Sequence, residues 1–232
     1  MKPYRSHPIH ECGEPLVSLE GRGFVLTTPH PYQAFGAPYG ADNPWTARRS
    51  VVDALSQALL SLQQRQPDWT FRIFDAYRPC AIQSFMVRHE FLSLSGGRSP
   101  ESMPFEEAQP LWEKTYRIWA EPSEDPNSPP PHATGAAIDL TLCTRQGVDV
   151  DMGSPIDENS DRSLPDHFLE KDPERHRHRL ILLEALQSAG FERHPEEWWH
   201  FSLGDQMWAY TRKQKEPSQP PIARYGRADL LR

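Results

Sequence analysis

The stretch AAIDLTLC, residues 136–143, restricts the fold more than any other part of the chain. Seven small, apolar or β-favouring residues surround one carboxylate, Asp139. A proline-rich segment, EPSEDPNSPPP at 121–131, precedes it, and the turn RQG at 145–147 follows. An apolar run of strand length between turn signals is read as a central strand with both faces covered. Ile138 and Leu140 flank Asp139 in that run. An unpaired carboxylate buried there is costly, so Asp139 needs a metal ion, a cation or several hydrogen-bond donors. A buried pair with an arginine is the plainer alternative.

The rest of the chain supplies elements to cover such a strand. ARRSVVDALSQALLSLQQRQ places Val51, Val52, Leu55, Leu59 and Leu62 on one helical face, with Thr46 or Asn43 to cap its start and Pro67 to help end it. WTFRIFDAYRP alternates like a half-buried strand and stops at Pro79, leaving Tyr77 and Arg78 at its end. A helix is expected from about Ala81 to Leu94, and another over FEEAQPLWEKTYRIWA, disturbed by Pro110. ERHRHRLILLEALQSAG reads as an amphipathic helix with a C-terminal glycine, and WWHFSL as a further strand. GFVLTT is a short candidate strand, the remainder of residues 1–45 is turn-rich, and the tail after Asp205 is expected to be extended. Without a regular βαβ rhythm or an internal repeat, these elements predict one α+β domain, a central sheet flanked by helices. Its core spans about 26–205, between extended terminal segments.

Hydrophobic residues form only 37% of the 232, and 24 prolines indicate loops rather than disorder. The formal charge of −7, with no basic run, argues against a nucleic-acid partner. No apolar run approaches the roughly 20 residues of a membrane span. Three separated cysteines without a C-x-x-C pair offer neither a disulfide framework nor a thiolate metal site. With no signal-peptide pattern at the start, a cytoplasmic location is expected.

Metal-assisted amide hydrolysis needs three protein ligands with one open position, a separate carboxylate to move a proton, and a donor for the developing oxyanion. His132 stands seven residues before Asp139, with Gly135, Ala136 and Ala137 between them to allow a close bend. His200 lies in the aromatic strand, three residues after Glu197. Positions i and i+3 of an ideal strand face opposite sides, so Glu197 and His200 share a site only if Glu197 precedes the strand or a bulge re-aims it. Each residue has an ordinary reading: a surface histidine, a solvated glutamate, an arginine stacked on an aromatic. HRH at 176–178 with His167 is a weaker cluster, best read as a solvated helix face.

In combination, HATGAAIDLTL and EWWHF, preceded by FDAYRP, resemble the VanX-type D-alanyl-D-alanine dipeptidases. These belong to a wider zinc peptidase group with D,D-carboxypeptidases, peptidoglycan endopeptidases and the Hedgehog signalling domain. The group's pattern, S-x-H-x-x-G-x-A-x-D with E-x-x-H far downstream, is matched by His132, Gly135, Ala137, Asp139, Glu197 and His200. The resemblance extends from roughly Tyr32 to Leu203. It implies that His132, Asp139 and His200 bind one zinc ion per chain and that Glu197 is the general base. It also implies that Arg78 stabilises the oxyanion and that Asp157, in MGSPID, receives the substrate's free ammonium. Tyr77 and Ser128 are further substrate-binding candidates, Ser128 because Pro130 stands where the pattern has serine.

The expected activity is zinc-dependent hydrolysis of D-Ala-D-Ala or a similar small dipeptide with a free N-terminus. A peptidoglycan-trimming D,D-carboxypeptidase or L,D-endopeptidase on the same scaffold is the first alternative. A zinc-stabilised binding module without catalysis is the second.

Overall fold

Leu140 and Leu142 sit with zero solvent exposure near the middle of a five-stranded sheet, and the fold is assembled around the strand that carries them. The computed structural model describes residues 2–218 and 221–231. Among these residues seven strands are formed: β1 (Leu16–Ser18), β2 (Val25–Leu26), β3 (Thr46–Arg48), β4 (Trp69–Asp75), β5 (Ala137–Thr144), β6 (Glu192–Arg193) and β7 (His200–Ser202). Six α-helices accompany them: α1 (Pro31–Ala34), α2 (Arg49–Arg65), α3 (Cys80–Leu94), α4 (Phe105–Ile118), α5 (Pro173–Ser188) and α6 (Gln206–Lys215). The sheet order is β2-β4-β5-β7-β6, antiparallel except for the β2–β4 edge, while β1 and β3 form a separate antiparallel pair. The protein is therefore α+β, as the order of elements in the sequence predicts, and its sheet is mainly antiparallel.

Side chains alternate across β5. Ile138, Leu140 and Leu142 face a core shared with Val51, Leu55 and Leu62 of α2, Phe71 and Ile73 of β4, and Leu182 and Leu186 of α5. Asp139 and Thr141 point to the other face. There a smaller cluster, including Tyr32, Tyr39, Ile82, Met86 and Trp119, packs α3 and the loops around it. The sheet thus has one dry, helix-covered face and one face that carries the polar site. Among the described residues no helix is long and apolar enough to cross a membrane.

Several local expectations change. The segment after Asp205 is not extended: Asp205 accepts from the backbone N–H of Trp208 at 2.8 Å and caps α6, whose last turn carries Arg212, Lys213 and Lys215. Pro110 lies inside α4 without ending it. Thr46 belongs to β3, and Asn43 accepts from the N–H of Trp45 rather than capping α2. The cap comes instead from Glu14, whose carboxylate accepts from the N–H of Ser50 at 2.9 Å.

The terminal segments are fastened to the core by two buried side chains. The guanidinium of Arg48 donates to the carbonyls of Thr134, Glu14 and Gly226 at 2.7, 2.6 and 2.9 Å. The Gln206 amide donates to the carbonyls of Arg5, His7 and Asn127. Unpaired, these carbonyls would each carry a desolvation penalty, so both bridges hold remote segments in place.

Candidate metal centre and catalytic cleft

In the β5–β7 ladder Asp139 is the direct partner of His200. Their side chains share a face, and Asp139 Oδ1 lies 2.9 Å from His200 Nδ1. His132 arrives from the 3-10 turn Pro131–Thr134 immediately before β5. The chain reverses at Gly135, where φ is +70° and an added Cβ would sit 2.3 Å from a methyl of Leu16. Only glycine meets both demands. The bend brings His132 Nε2 to 3.1 Å from Asp139 Oδ2 and 3.2 Å from His200 Nδ1.

All three residues are buried, and one donor atom from each lies within 4.8 Å of the others. His132 Nδ1 is 2.7 Å from the Ala76 carbonyl, which places the ring proton there and leaves the Nε2 lone pair facing the cluster. His200 turns its Nε2 toward Ser202 Oγ, at 3.4 Å, and its Nδ1 inward. Donor atoms held about 2.0–2.1 Å from one ion in tetrahedral geometry are roughly 3.3 Å apart. The observed 2.9, 3.1 and 3.2 Å are close to that spacing. Two imidazoles and a carboxylate are also the donor types that zinc accepts, so the residues fit the ion. Burial alone would raise the Asp139 carboxyl, but His132 and His200 reverse this and hold it well below the usual range.

Glu197 precedes β7, the first of the two arrangements that let it share a site with His200. Its Oε2 is 3.9 Å from His200 Nδ1. Burial pushes its carboxyl up to about 7, against the opposing pull of His200 and Lys2. A carboxylate poised there exchanges protons near neutral pH.

Arg78 follows β4 and enters the same cleft from the opposite strand. It donates from Nε to Asp75 Oδ2 at 3.0 Å, from Nη1 to Gln83 Oε1 at 2.9 Å, and from Nη2 to the Tyr32 hydroxyl and Asp139 Oδ2 at 3.0 and 3.2 Å. Its guanidinium carbon also lies 4.8 Å from the centre of the Tyr32 ring and 5.1 Å from that of Trp119. Such a fork is fixed in direction, as a positioned cation requires. The Tyr32 hydroxyl donates in turn to Asp157 Oδ2. Asp157 has φ +64°, the one positive value among the described non-glycine residues, and side chains adopt that conformation only when the surroundings enforce it. Burial of its carboxyl, reinforced by the charge of Asp139, pushes it up to about 8.

His132, Asp139, His200, Glu197, Arg78 and Asp157 therefore line one narrow cleft. Tyr77 and Ser128 do not line it. Tyr77 is 1% exposed beneath the surface, and Ser128 Oγ accepts from Arg5 Nε at 2.8 Å. The hydroxyl facing Asp157 belongs instead to Tyr32, 45 residues before Tyr77.

Gln83, His194, Lys2 and Tyr4 also line the cleft without a motif in the sequence to mark them, and Asp75 lies beneath it. Asp75 had the same signature as Asp139, a carboxylate among apolar strand residues, and is likewise fully buried. Lys2 and Tyr4 reach the cleft from a segment with no periodic pattern.

A family model described as D-ala-D-ala dipeptidase, Peptidase M15, matches residues 26–218. A D-alanyl-D-alanine dipeptidase of Synechocystis is 42% identical over 241 residues, covering 99% of this chain and 98% of that protein. A D-alanyl-D-alanine dipeptidase of Escherichia coli is 42% identical over 72 residues, 31% of this chain and 37% of that protein. Among solved structures, a zinc complex of the D,D-pentapeptidase VanY aligns with a TM-score of 0.46 at 12% identity, covering 74% of this chain and 80% of that one. The LD-carboxypeptidase LdcB aligns with a TM-score of 0.42 at 17% identity, covering 76% and 68%. By the family match and the full-length relative, this chain belongs to the Peptidase M15 family of D-Ala-D-Ala dipeptidases.

Proposed function

We propose that the protein is a zinc-dependent dipeptidase, with one zinc ion per chain, that cleaves D-Ala-D-Ala or a similar small D,D-dipeptide with a free N-terminus. The observation that carries this reading is the placement of Glu197 and Arg78 in one cleft with the His132–Asp139–His200 cluster. When bound, zinc supplies Lewis-acid polarisation of the scissile carbonyl and lowers the pKa of water.

The chain's own residues account for the rest. Glu197 accepts a proton from the attacking water and passes it to the leaving amine nitrogen. Overall, one peptide C–N bond breaks and one C–O bond forms. The Arg78 guanidinium, held by Asp75 and Gln83, offsets the negative charge that develops on the carbonyl oxygen. Asp157 in its carboxylate form receives the substrate ammonium, oriented by Tyr32, and so fixes the peptide bond relative to Glu197.

A receptor for a free ammonium favours a short peptide over an interior bond of polymerised wall. We accordingly place the enzyme's action in the cytoplasm, on a free dipeptide, with core and terminal segments working as one catalytic unit. The test is hydrolysis of a panel of D,D-, L,D- and L,L-dipeptides, with and without a chelator. D-Ala-D-Ala should be cleaved, cleavage should stop on chelation and return with zinc. Comparable rates on N-acylated peptides would replace this reading with the carboxypeptidase one.

A further inference from the structure

The cleft contains a second cation that the proposed mechanism does not use. Lys2 lines it, with Nζ 4.0 Å from Glu197 Oε1. Its hydrogen bond, to the Arg117 carbonyl, is long at 3.4 Å, which leaves most of the ammonium's donor capacity for another acceptor. The segment that carries Lys2 is not a loose end. Arg5 donates to the Ser128 hydroxyl and carbonyl at 2.8 and 3.1 Å, and Gln206 holds the carbonyls of Arg5 and His7. The N–H groups of His10 and Cys12 donate to the carbonyls of Ala223 and Arg224.

The chemistry of a dipeptide fixes what must lie beside Glu197. The group that protonates the leaving amine has that nitrogen within hydrogen-bond reach. In a dipeptide the same nitrogen carries the Cα whose carboxylate ends the molecule, so the carboxylate oxygens lie about 3 Å from it. Negative charge therefore arrives near a glutamate in a confined cleft, which is unfavourable unless a cation meets it. Arg78 is on the Asp157 side, where Nη2 already binds Tyr32 and Asp139. His194 Nδ1 lies 3.5 Å from Glu197 but accepts from the backbone N–H of Glu196 at 3.2 Å, so that nitrogen has no proton to offer a carboxylate. Lys2 is the cation on the leaving side.

We propose that Lys2 binds the terminal carboxylate of the substrate, so that Lys2 and Asp157 together select a zwitterion one dipeptide long. This deepens the dipeptidase reading and rests on it. Space alone does not set the length, because a groove continues past Lys2 along Tyr4, Arg5, Tyr116 and Glu121. Charge marks the point at which the substrate ends.

The test compares D-Ala-D-Ala with its C-terminal amide, using the zinc-loaded enzyme and its Lys2→Met and Lys2→Arg variants. A charge-assisted bond of this kind corresponds to roughly a tenfold to hundredfold preference for the acid in kcat/KM. Lys2→Met also removes a charge beside Glu197 and so acts on both substrates, but it should abolish the preference by raising KM for the acid well beyond any change for the amide, and Lys2→Arg should restore most of it. If Lys2→Met slows acid and amide by the same factor, so that the preference persists, Lys2 acts only through Glu197 and the proposal is overturned. Equal acid preference in native and Lys2→Met enzymes overturns it as well. Failure of the native enzyme to cleave D-Ala-D-Ala would instead overturn the dipeptidase reading itself.

Discussion

The Tyr32 hydroxyl donates to Asp157 Oδ2 at 2.8 Å, joining helix α1 to the loop after β5 across 125 residues of chain. Asp157 is held up to about 8 by burial and by Asp139, and the Tyr32 hydrogen bond works in the opposite direction. Only the carboxylate form attracts an ammonium, so KM for D-Ala-D-Ala should fall as pH rises, over a range below about 8 because an ion bound to Asp139 offsets the charge that raises Asp157. Loss of the substrate's own ammonium proton reverses the trend above that. Tyr32→Phe removes the bond that favours the carboxylate. It should raise KM near neutral pH by about tenfold and move the fall to higher pH. Identical KM–pH profiles for the two enzymes would refute the link.

In the proposed mechanism Glu197 and His200 separate proton transfer from metal binding. Glu197→Gln should lower kcat by about 10²–10⁴-fold while the protein retains its zinc through dialysis. His200→Ala should lose both zinc and activity, because it removes one of three ligands. Glu197 sits at about 7 without an ion beside it, and a bound cation favours its carboxylate form. The acid limb of the kcat/KM profile should therefore lie below that value and disappear in Glu197→Gln. Metal loss from Glu197→Gln equal to that from His200→Ala would contradict this division.

Asp75 supports the site from beneath the cleft, which it does not line. It accepts from Arg78 Nε and from the Tyr39 hydroxyl at 3.4 Å, and it lies 3.1 Å from His30 Nε2 and 3.2 Å from His132 Nδ1. Burial would raise its carboxyl, but Arg78 foremost keeps it ionised and below the usual range. Asp75→Asn leaves the Arg78 charge short of a buried partner, at a cost of about 3 kcal/mol, to be read from urea denaturation. Zinc affinity should also drop by roughly tenfold or more, since His132 loses part of its support. Unchanged stability with unchanged zinc affinity would show that Asp139 alone suffices for Arg78.

Arg179 of α5 does comparable work for the loop that carries Asp157. Buried at 1% exposure, it donates to the carbonyls of Met152, Leu164 and Arg162, each at 2.8 Å, and its guanidinium carbon lies 5.1 Å from the centre of the Trp198 ring. Arg179→Met keeps the apolar stem but leaves three carbonyls without their donor, which should cost about 3 kcal/mol of stability. Because the loop bears Asp157 and not Glu197, KM should rise more than kcat falls. A variant with impaired kcat and native KM would show that the loop does not set substrate position.

What the sequence determined was local. The apolar run around Asp139 required a central strand and a compensated carboxylate, and the 3.6-residue spacing of Val51, Leu55 and Leu62 required a helix to cover it. The spacings of His132, Asp139, Glu197 and His200 carried the family pattern, because backbone geometry near β5 and β7 fixes where those side chains point. Tertiary structure decided what depends on distant partners. Tyr77 is next to Arg78 in the chain yet is packed away from the cleft, while Tyr32, buried beneath it, bonds to both Arg78 and Asp157 through a fold that no short pattern encodes. The helix after Asp205 was hidden because only Gln206, Met207 and Ala209 of its ten residues are buried, too few to write an apolar stripe. Lys2 stands 195 positions from Glu197, and no periodicity announces it. Its place is set by the bonds of Arg5 and Gln206, long-range hydrogen bonds that exist only once the core beneath them has formed.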